Sequence, residues 1–200
     1  WMIPSLYFDY LRFGEIEPLR KVLYHNAMDV VSLAVLMEHM AGLLADPVQR
    51  GGEFGVDLIA LARLFEDLDD LDTATRLYLH GLEHPDAVEE RLPRQSLLDA
   101  LQRLAAIRKK EQNLSAAIAL WEQAAHYHHL DACLELAKYY EHQQRDYQIA
   151  RQWTETAILI IEQPAGLPDQ TPSLNLAQRR LWLDQLQHRL ERLQNKITLT

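Results

Sequence analysis

Between residues 54 and 163 the chain sets small, apolar and aromatic residues at the same offsets three times. Leu61, Ala62, Phe65, Leu71, Ala74, Tyr78 and Gly81 form the first set. Leu104, Ala105, Arg108, Leu114, Ala117, Trp121 and Ala124 repeat it, with Arg108 breaking the aromatic slot. Leu136, Ala137, Tyr140, Tyr147, Ala150, Trp153 and Ala157 make a third set, with one extra residue in its turn. The sets stand 43 and 32 residues apart, and a period of about 34 marks stacked helical hairpins. Two antiparallel helices approach closely only where side chains are small, hence Ala or Gly at three points of each hairpin. Larger apolar groups between those points fill the groove offered to the next hairpin. The turns Asp69-Asp70-Leu71-Asp72, Glu111-Gln112-Asn113 and Gln144-Arg145-Asp146 each supply an Asp or Asn that can cap the following helix.

The rest of the sequence agrees with an all-α fold. Among 200 residues there are only 7 glycines and 8 prolines, while Leu, Ala, Glu, Gln and Arg abound. Neither Asn-Gly nor Asp-Gly hairpin turns occur, and no apolar–polar alternation is sustained. Residues 1–20 read as irregular, punctuated by Pro4, Gly14 and Pro18, and a helix is expected from near Asn26. A dense apolar stripe over 30–44 follows, and Pro47 with Gly51-Gly52 places a boundary within 46–53. The expected domains are 1–47, 48–163 and 164–200, the last a loop and a capping helix. Asn175 and Gln178 stand as a capping box for that helix, which would cover the final apolar face of the stack. The stripe over 30–44 also needs an apolar cover, and the first repeat is the expected one.

Charge narrows the function classes. The formal charge is −9 and the pI about 5.4, which disfavours a broad grip on nucleic acid or anionic lipid. Residues 53–92 carry 11 acidic and 3 basic side chains, whereas 171–200 carry 2 and 5. The acidic end is suited to a basic protein segment. A lone cysteine, Cys133, excludes an internal disulfide and a Cys-rich zinc site. No apolar run approaches the roughly 20 residues of a membrane span, and the start lacks the regions of a signal peptide. Beginning at Trp1 rather than Met, the chain reads as an internal or C-terminal piece of a longer cytoplasmic protein.

The repeat offsets over residues 54–163 resemble the tetratricopeptide repeat and the similar Sel1-like hairpins. The family glycine after the first aromatic is replaced by Asp69 and Gln112, and the family proline is displaced. The resemblance implies a right-handed solenoid of antiparallel hairpins that binds a protein partner. Ile3-Pro4-Ser5-Leu6-Tyr7-Phe8-Asp9-Tyr10 together with Tyr24-His25-Asn26-Ala27-Met28-Asp29 resembles the closing segment of a bacterial ribonuclease H-like family related to the DEDD exonucleases. In such nucleases an Asp on the last helix binds a divalent metal, and a preceding Tyr or His orients the attacking water. Carried onto this chain, Asp29 is the candidate metal ligand and His25 the candidate catalytic group, one helical turn apart. Tyr24 is one residue too far for the tyrosine version. The competing reading is that Asn26 caps a helix and Asp29 sits in its first turn.

Magnesium or manganese is therefore expected only in the longer protein, because one Asp cannot hold two metals and the other carboxylates would lie upstream of Trp1. No cofactor is expected for this chain alone. His126, His128, His129 and Asp131 read as a turn rather than a zinc site, which needs three or four converging ligands. Arg179, Arg180, Arg189 and Arg192 are candidate phosphate contacts, with Arg108-Lys109-Lys110 as a second basic cluster. Tyr78, Trp121 and Trp153 read as core. No phosphate loop, nucleophile elbow or His-Glu-x-x-His pair occurs. The expected function is a non-catalytic interaction module attached to a ribonuclease H-like domain, binding a protein partner or the nuclease itself, with no membrane role. The alternative is part of a metal-dependent exonuclease that contacts nucleic acid through the nuclease domain.

Overall fold

The computed structural model describes residues 2–89, 91–162 and 175–198, and among these every regular element is helical. The chain divides into two compact units, Trp1–Gly51 and Gly52–Thr200. The expected loop over 164–173 lies outside the described residues.

The first unit holds α1 (Ile3–Phe13), α2 (Glu17–Ala45) and the short α3 (Pro47–Arg50). Residues 1–20 are thus mostly helical, contrary to the irregular segment expected from Pro4, Gly14 and Pro18. Both prolines fall in the first turn of a helix, where the missing N–H has no intrahelical partner to lose and the fixed φ already suits the helix. Gly14 does terminate α1: its φ of 75° is left-handed, and its N–H donates to Tyr10 O at 2.8 Å. Because α2 starts at Glu17, Asn26 and Asp29 lie inside a 29-residue helix. Neither can act through a helix N-terminus, so the capping reading of both residues is overturned.

Helix α2 is apolar on every side, with Val30, Leu33, Leu36 and Met37 each more than half exposed and no residue buried. It is also long and apolar enough to cross a bilayer, with a mean hydropathy of 1.5 over its best window. A search for uninterrupted apolar runs misses this because Asp29, Glu38, His25 and His39 break them. Those charges are what a bilayer centre opposes, at about 2.5–3.5 kcal/mol per carboxylate. A helix apolar all round is otherwise one meant to be enclosed by protein.

The second unit begins with α4 (Gly55–Asp67) and α5 (Leu71–Glu83), followed by the single turn α6 (Pro85–Val88). Then come α7 (Arg94–Lys110), α8 (Leu114–His126), α9 (Leu130–Tyr139), α10 (Tyr147–Glu162) and α11 (Leu176–Thr198). Packing follows chain order: α4 on α5, α5 on α7, α7 on α8, α8 on α9, α9 on α10 and α10 on α11. The small residues of the repeat sit at these contacts. Ala62, Ala74, Ala105, Ala117, Ala137, Ala150 and Ala157 have no solvent-exposed surface. At Gly81 a Cβ would lie 2.9 Å from Ile59 Cγ1 and 3.3 Å from Gly55 O. Glycine is required there by the close crossing of α4 and α5.

Four interhelix turns share one construction. Asp69, Gln112, His128 and Arg145 all have φ between 57° and 63°, the left-handed conformation that ends a helix in a Schellman motif. In the first two, Asp70 N donates to Phe65 O and Asn113 N to Arg108 O, both at 2.9 Å. The next residue then caps the following helix: Asp70 accepts from Thr73 N, Asn113 from Ala116 N, His129 from Ala132 N and Asp146 from Ile149 N. Asp69 and Gln112 therefore adopt the left-handed conformation that glycine takes most readily.

The third hairpin carries a correction. Thr154, not Trp153, is the buried counterpart of Tyr78 and Trp121; Trp153 is only half-buried. Thr154 Oγ1 donates to Ala150 O at 2.8 Å, which satisfies its hydroxyl. The extra residue of this repeat is absorbed by a π-helical turn, Tyr140–Gln144, at the end of α9. Leu136 and Tyr147 are 11 residues apart where Leu61–Leu71 and Leu104–Leu114 are 10, and beyond the turn Tyr147 to Thr154 keeps the seven-residue offset of Leu71–Tyr78 and Leu114–Trp121. Helix α11 begins on the expected capping box, with Asn175 N donating to Gln178 Oε1 at 3.0 Å and Gln178 N to Asn175 Oδ1 at 2.9 Å.

Left-handed strain at Gln112 is removable. Gln112→Gly should stabilise the protein by about 0.5–1 kcal/mol, the relief of αL strain exceeding the extra chain entropy of glycine. Gln112→Ala, which keeps a Cβ, should give no such gain. Urea unfolding of the two variants beside the parent checks both.

Candidate functional site

In the first unit His25 and Asp29 occupy successive turns of α2, about 6 Å apart along its axis, and both are exposed. The His25 ring lies edge-on to Tyr24, with centroids 6.0 Å apart. Among the described residues no three His, Cys, Asp or Glu side chains converge. One carboxylate and one imidazole do not make a donor set for a two-metal centre, so the described residues do not fit that group.

The histidines at the α8–α9 turn diverge. His128 holds the left-handed turn position, while His126 is exposed and stands edge-on to Tyr127. His129 is buried, and its Nδ1 accepts from Ala132 N at 3.4 Å. Burial lowers its pKa, opposed by the charges of Asp131 and Asp99, so the neutral ring caps α9.

The candidate arginines do not form one patch. Arg179 and Arg180 stand in the first turn of α11, while Arg189 is nine residues and about 13 Å further along the helix. Arg189 and Arg192, with Lys196, converge on Glu141 in the π-helical turn. The Glu141 side chain has no exposed surface. It accepts from Arg189 Nε at 3.0 Å, from Arg192 Nε and Nη2 at 3.1 and 3.0 Å, and from Lys196 Nζ at 2.9 Å. Burial by itself would raise its pKa, but the hydrogen bonds from Arg192 and Lys196 and the charge of Arg189 outweigh it and hold the carboxyl at about 2. Arg189 is largely committed to this buried carboxylate, which leaves little of it for phosphate. The stripe Arg189, Arg192, Lys196, three and four residues apart, was visible in the sequence. Its buried partner was not.

A second assembly lies between α7 and α9. Glu135 accepts from Lys109 at 2.7 Å and from Lys138 at 2.6 Å, and the Lys109 ammonium lies 5.5 Å from the centre of the Trp121 ring. The two hydrogen bonds hold the Glu135 pKa down against burial, which acts the other way. Cavities of about 330 and 170 Å³ flank this trio. The larger reaches Trp182 of α11, the smaller His142. In the first hairpin Glu66 accepts from the Tyr78 hydroxyl at 2.7 Å and from Arg103 at 3.1 Å. Burial and that carboxylate together push the Tyr78 phenol well above its usual range. Cys133 is buried, which raises its thiol to about 11 and leaves it inert.

Comparison with known proteins finds similarity to a family and to a curated relative. Residues 1–41 match the sequence model of the RNase H superfamily. The chain is 30% identical over 166 residues to the uncharacterized protein YprB of Bacillus subtilis (strain 168), a match covering 79% of this chain and 37% of YprB. The chain thus spans little more than a third of the length of that relative. A match over 79% of this chain extends well beyond Gly51, so the similarity runs into the second helical unit. No solved structure matches.

Glu141→Gln should destabilise the protein by about 1–3 kcal/mol, mainly because the buried Arg189 loses its countercharge, while Arg192 and Lys196 are partly solvated. The Glu141 carboxyl is held at about 2, against 4.5 when unfolded. Its stabilisation is therefore full above pH 4.5 and lost as pH falls toward 2. Protection of the α11 amides, taken relative to the exchange rate of an unstructured peptide at the same pH, should fall in that window for the parent and be low throughout for the variant. His129 acts near neutrality with the same sign. Its lowered pKa gives stability that is present above about 6.5 and declines below it, and His129→Asn, which keeps a cap, should flatten that slope in thermal melts.

Proposed function

We propose that the second unit is a non-catalytic, tetratricopeptide-like interaction module carried behind a ribonuclease H-like nuclease domain, whose closing helices are α1 and α2. The observation that carries this reading is α2, which has an apolar residue on every side over 30–40 and no buried residue along its length. Such a helix belongs inside a larger domain, and residues 1–41 match the RNase H superfamily. The successive packing of α4 to α11 and the burial of the small repeat residues support hairpins stacked as a right-handed solenoid with α11 as its cap. The module binds a protein partner, or the nuclease domain itself, by shape on a preformed surface in the cytoplasm. It performs no chemistry of its own.

The second reading is that the longer chain is a divalent-metal-dependent exonuclease acting on nucleic acid. It is favoured by Asp29 and His25 lying within the matched residues, one helical turn apart. Asp29 would contribute one ligand among carboxylates from elsewhere in that domain, and His25 would hold the attacking water by hydrogen bonding. In α11, Arg189 and Arg192 are engaged with Glu141 rather than held out for phosphate.

The longer protein separates the two roles. With magnesium or manganese it should degrade a single-stranded oligonucleotide, and Asp29→Asn should reduce the rate by about a hundredfold or more. A partner captured by the module should be retained undiminished in that variant. Cleavage indifferent to Asp29 would remove it from the mechanism, and failure to retain any protein would remove the module reading.

A further inference from the structure

We infer that the open face of α4 receives an amphipathic helix of a partner protein, apolar on the side that meets α4 and carrying a Lys or Arg at Asp57. This rests on the module reading and names the chemistry of what the module binds.

The repeat itself shows what belongs on this face. Phe54, Asp57 and Leu64 stand at the offsets of Leu97, Ala100 and Ile107 at α7, 43 residues on, and of His129, Ala132 and Tyr139 at α9, 32 further. In both later hairpins a preceding helix lies against these places, α5 on α7 and α8 on α9. Leu97 and His129 are then 8% and 6% exposed and Ile107 2%, while Tyr139 is half-buried. On α4 the same places are open, with Phe54 51% and Leu64 42% exposed. Leu68, one turn beyond Leu64, is also exposed. These residues recur on one side of α4 over about 21 Å, the length of a helix of four turns. The far end of the stack is closed differently: Asp184, Gln187, His188 and Glu191 of α11 face solvent, as suits a terminal helix without a neighbour.

Asp57 sets the charge of the occupant. Its counterparts Ala100 and Ala132 are buried beneath the covering helix, so a helix seated on α4 as α5 and α8 are seated on their neighbours would bury a carboxylate. Burial of that group without a countercharge is strongly opposed. The protein does not supply one here. Arg63, the one basic residue of α4, is tied to Asp99 of α7 at 2.6 Å, and Glu66 is answered by Arg103 at 3.1 Å. The remaining charges on and beside the face, Glu53, Asp67 and Asp69, are exposed and acidic. The covering helix must therefore bring the cation. A second copy of the chain, meeting α4 to α4 on a two-fold axis, would bring another Asp57 instead.

Designed helical peptides of about 20 residues provide the test, labelled with fluorescein and titrated by anisotropy against the longer protein at about 0.15 M salt. One carries leucines on one face flanked by lysines; the controls replace its lysines by glutamine or its leucines by serine. The Leu/Lys helix should bind about tenfold or more tighter than either control. Leu64→Ala should weaken it by about tenfold. Asp57→Ala, which restores the alanine of the later hairpins, is the decisive variant. It should cut the preference for lysine over glutamine about fivefold, whereas an Asp57 that served only the dipole of its own helix would leave that preference unchanged. Hydrogen exchange of α4 should be faster than that of α7 before the peptide is added and slow on its binding, with α9 unaffected. Thermal melts by circular dichroism show that each variant is folded. Equal binding of the lysine and glutamine helices, binding indifferent to Leu64→Ala, or an α4 already as protected as α7 by the rest of the chain or a second copy would overturn the inference. If the longer protein retains a captured partner regardless of Leu64→Ala and Asp57→Ala, the face is wrong while the module stands. Peptide discrimination without any captured partner would have the opposite meaning.

Discussion

Close contact between helices at alanine and glycine is the constraint from which the second unit follows. Where Gly81 meets α4, no Cβ fits without displacing Ile59, and the repeat alanines of the following hairpins are sealed from solvent in the same way. Close approach lets the larger side chains between those points interdigitate with the neighbouring hairpin rather than with their own. It also makes the turns short, because helices packed so tightly must reverse within about three residues. Short reversal is what forces Asp69, Gln112 and Arg145 into a left-handed conformation and places an Asp or Asn immediately after each as a cap.

The same geometry explains where charge is buried. One additional residue in the third hairpin would put the core face of α10 out of register, and the π-helical turn takes it up. That turn sets Glu141 inside, toward α11, where burial without partners would be prohibitive. Three cations from α11 answer it. The last helix is therefore fixed by one carboxylate in addition to the apolar contacts of Leu186 and Leu193. A buried cluster of this kind specifies one docking position more than it adds net stability.

The first unit presents the opposite case. Helices α1 and α2 each open with a proline in the first turn and without a side-chain cap, and no residue of either is buried. Reading proline as a breaker misplaced both helices, because position within the first turn, not the residue type, decides whether proline ends a helix or begins one. The match to the RNase H superfamily over residues 1–41 agrees with the resemblance seen at Ile3–Tyr10 and Tyr24–Asp29. Asp29 and His25 were legible as a pair from their four-residue spacing. The Lys109–Glu135–Lys138 trio was not, since its members come from two helices 26 residues apart in sequence, and local pattern carries no information about which helices become neighbours.

What the linear chain determines by itself is periodic: the helical character, the recurrence of small residues, the caps, the capping box at Asn175 and Gln178, and the basic stripe on α11. Each depends on residues within about one or two turns of one another, where backbone geometry fixes which side chains meet. Tertiary structure alone decided that Thr154 and not Trp153 enters the core, that a π-helical turn corrects the register, and that Glu141 gathers three cations. Those outcomes depend on which helix surface faces which, a choice made by the fit of whole faces under a demand for close packing. No single spacing along the chain encodes it.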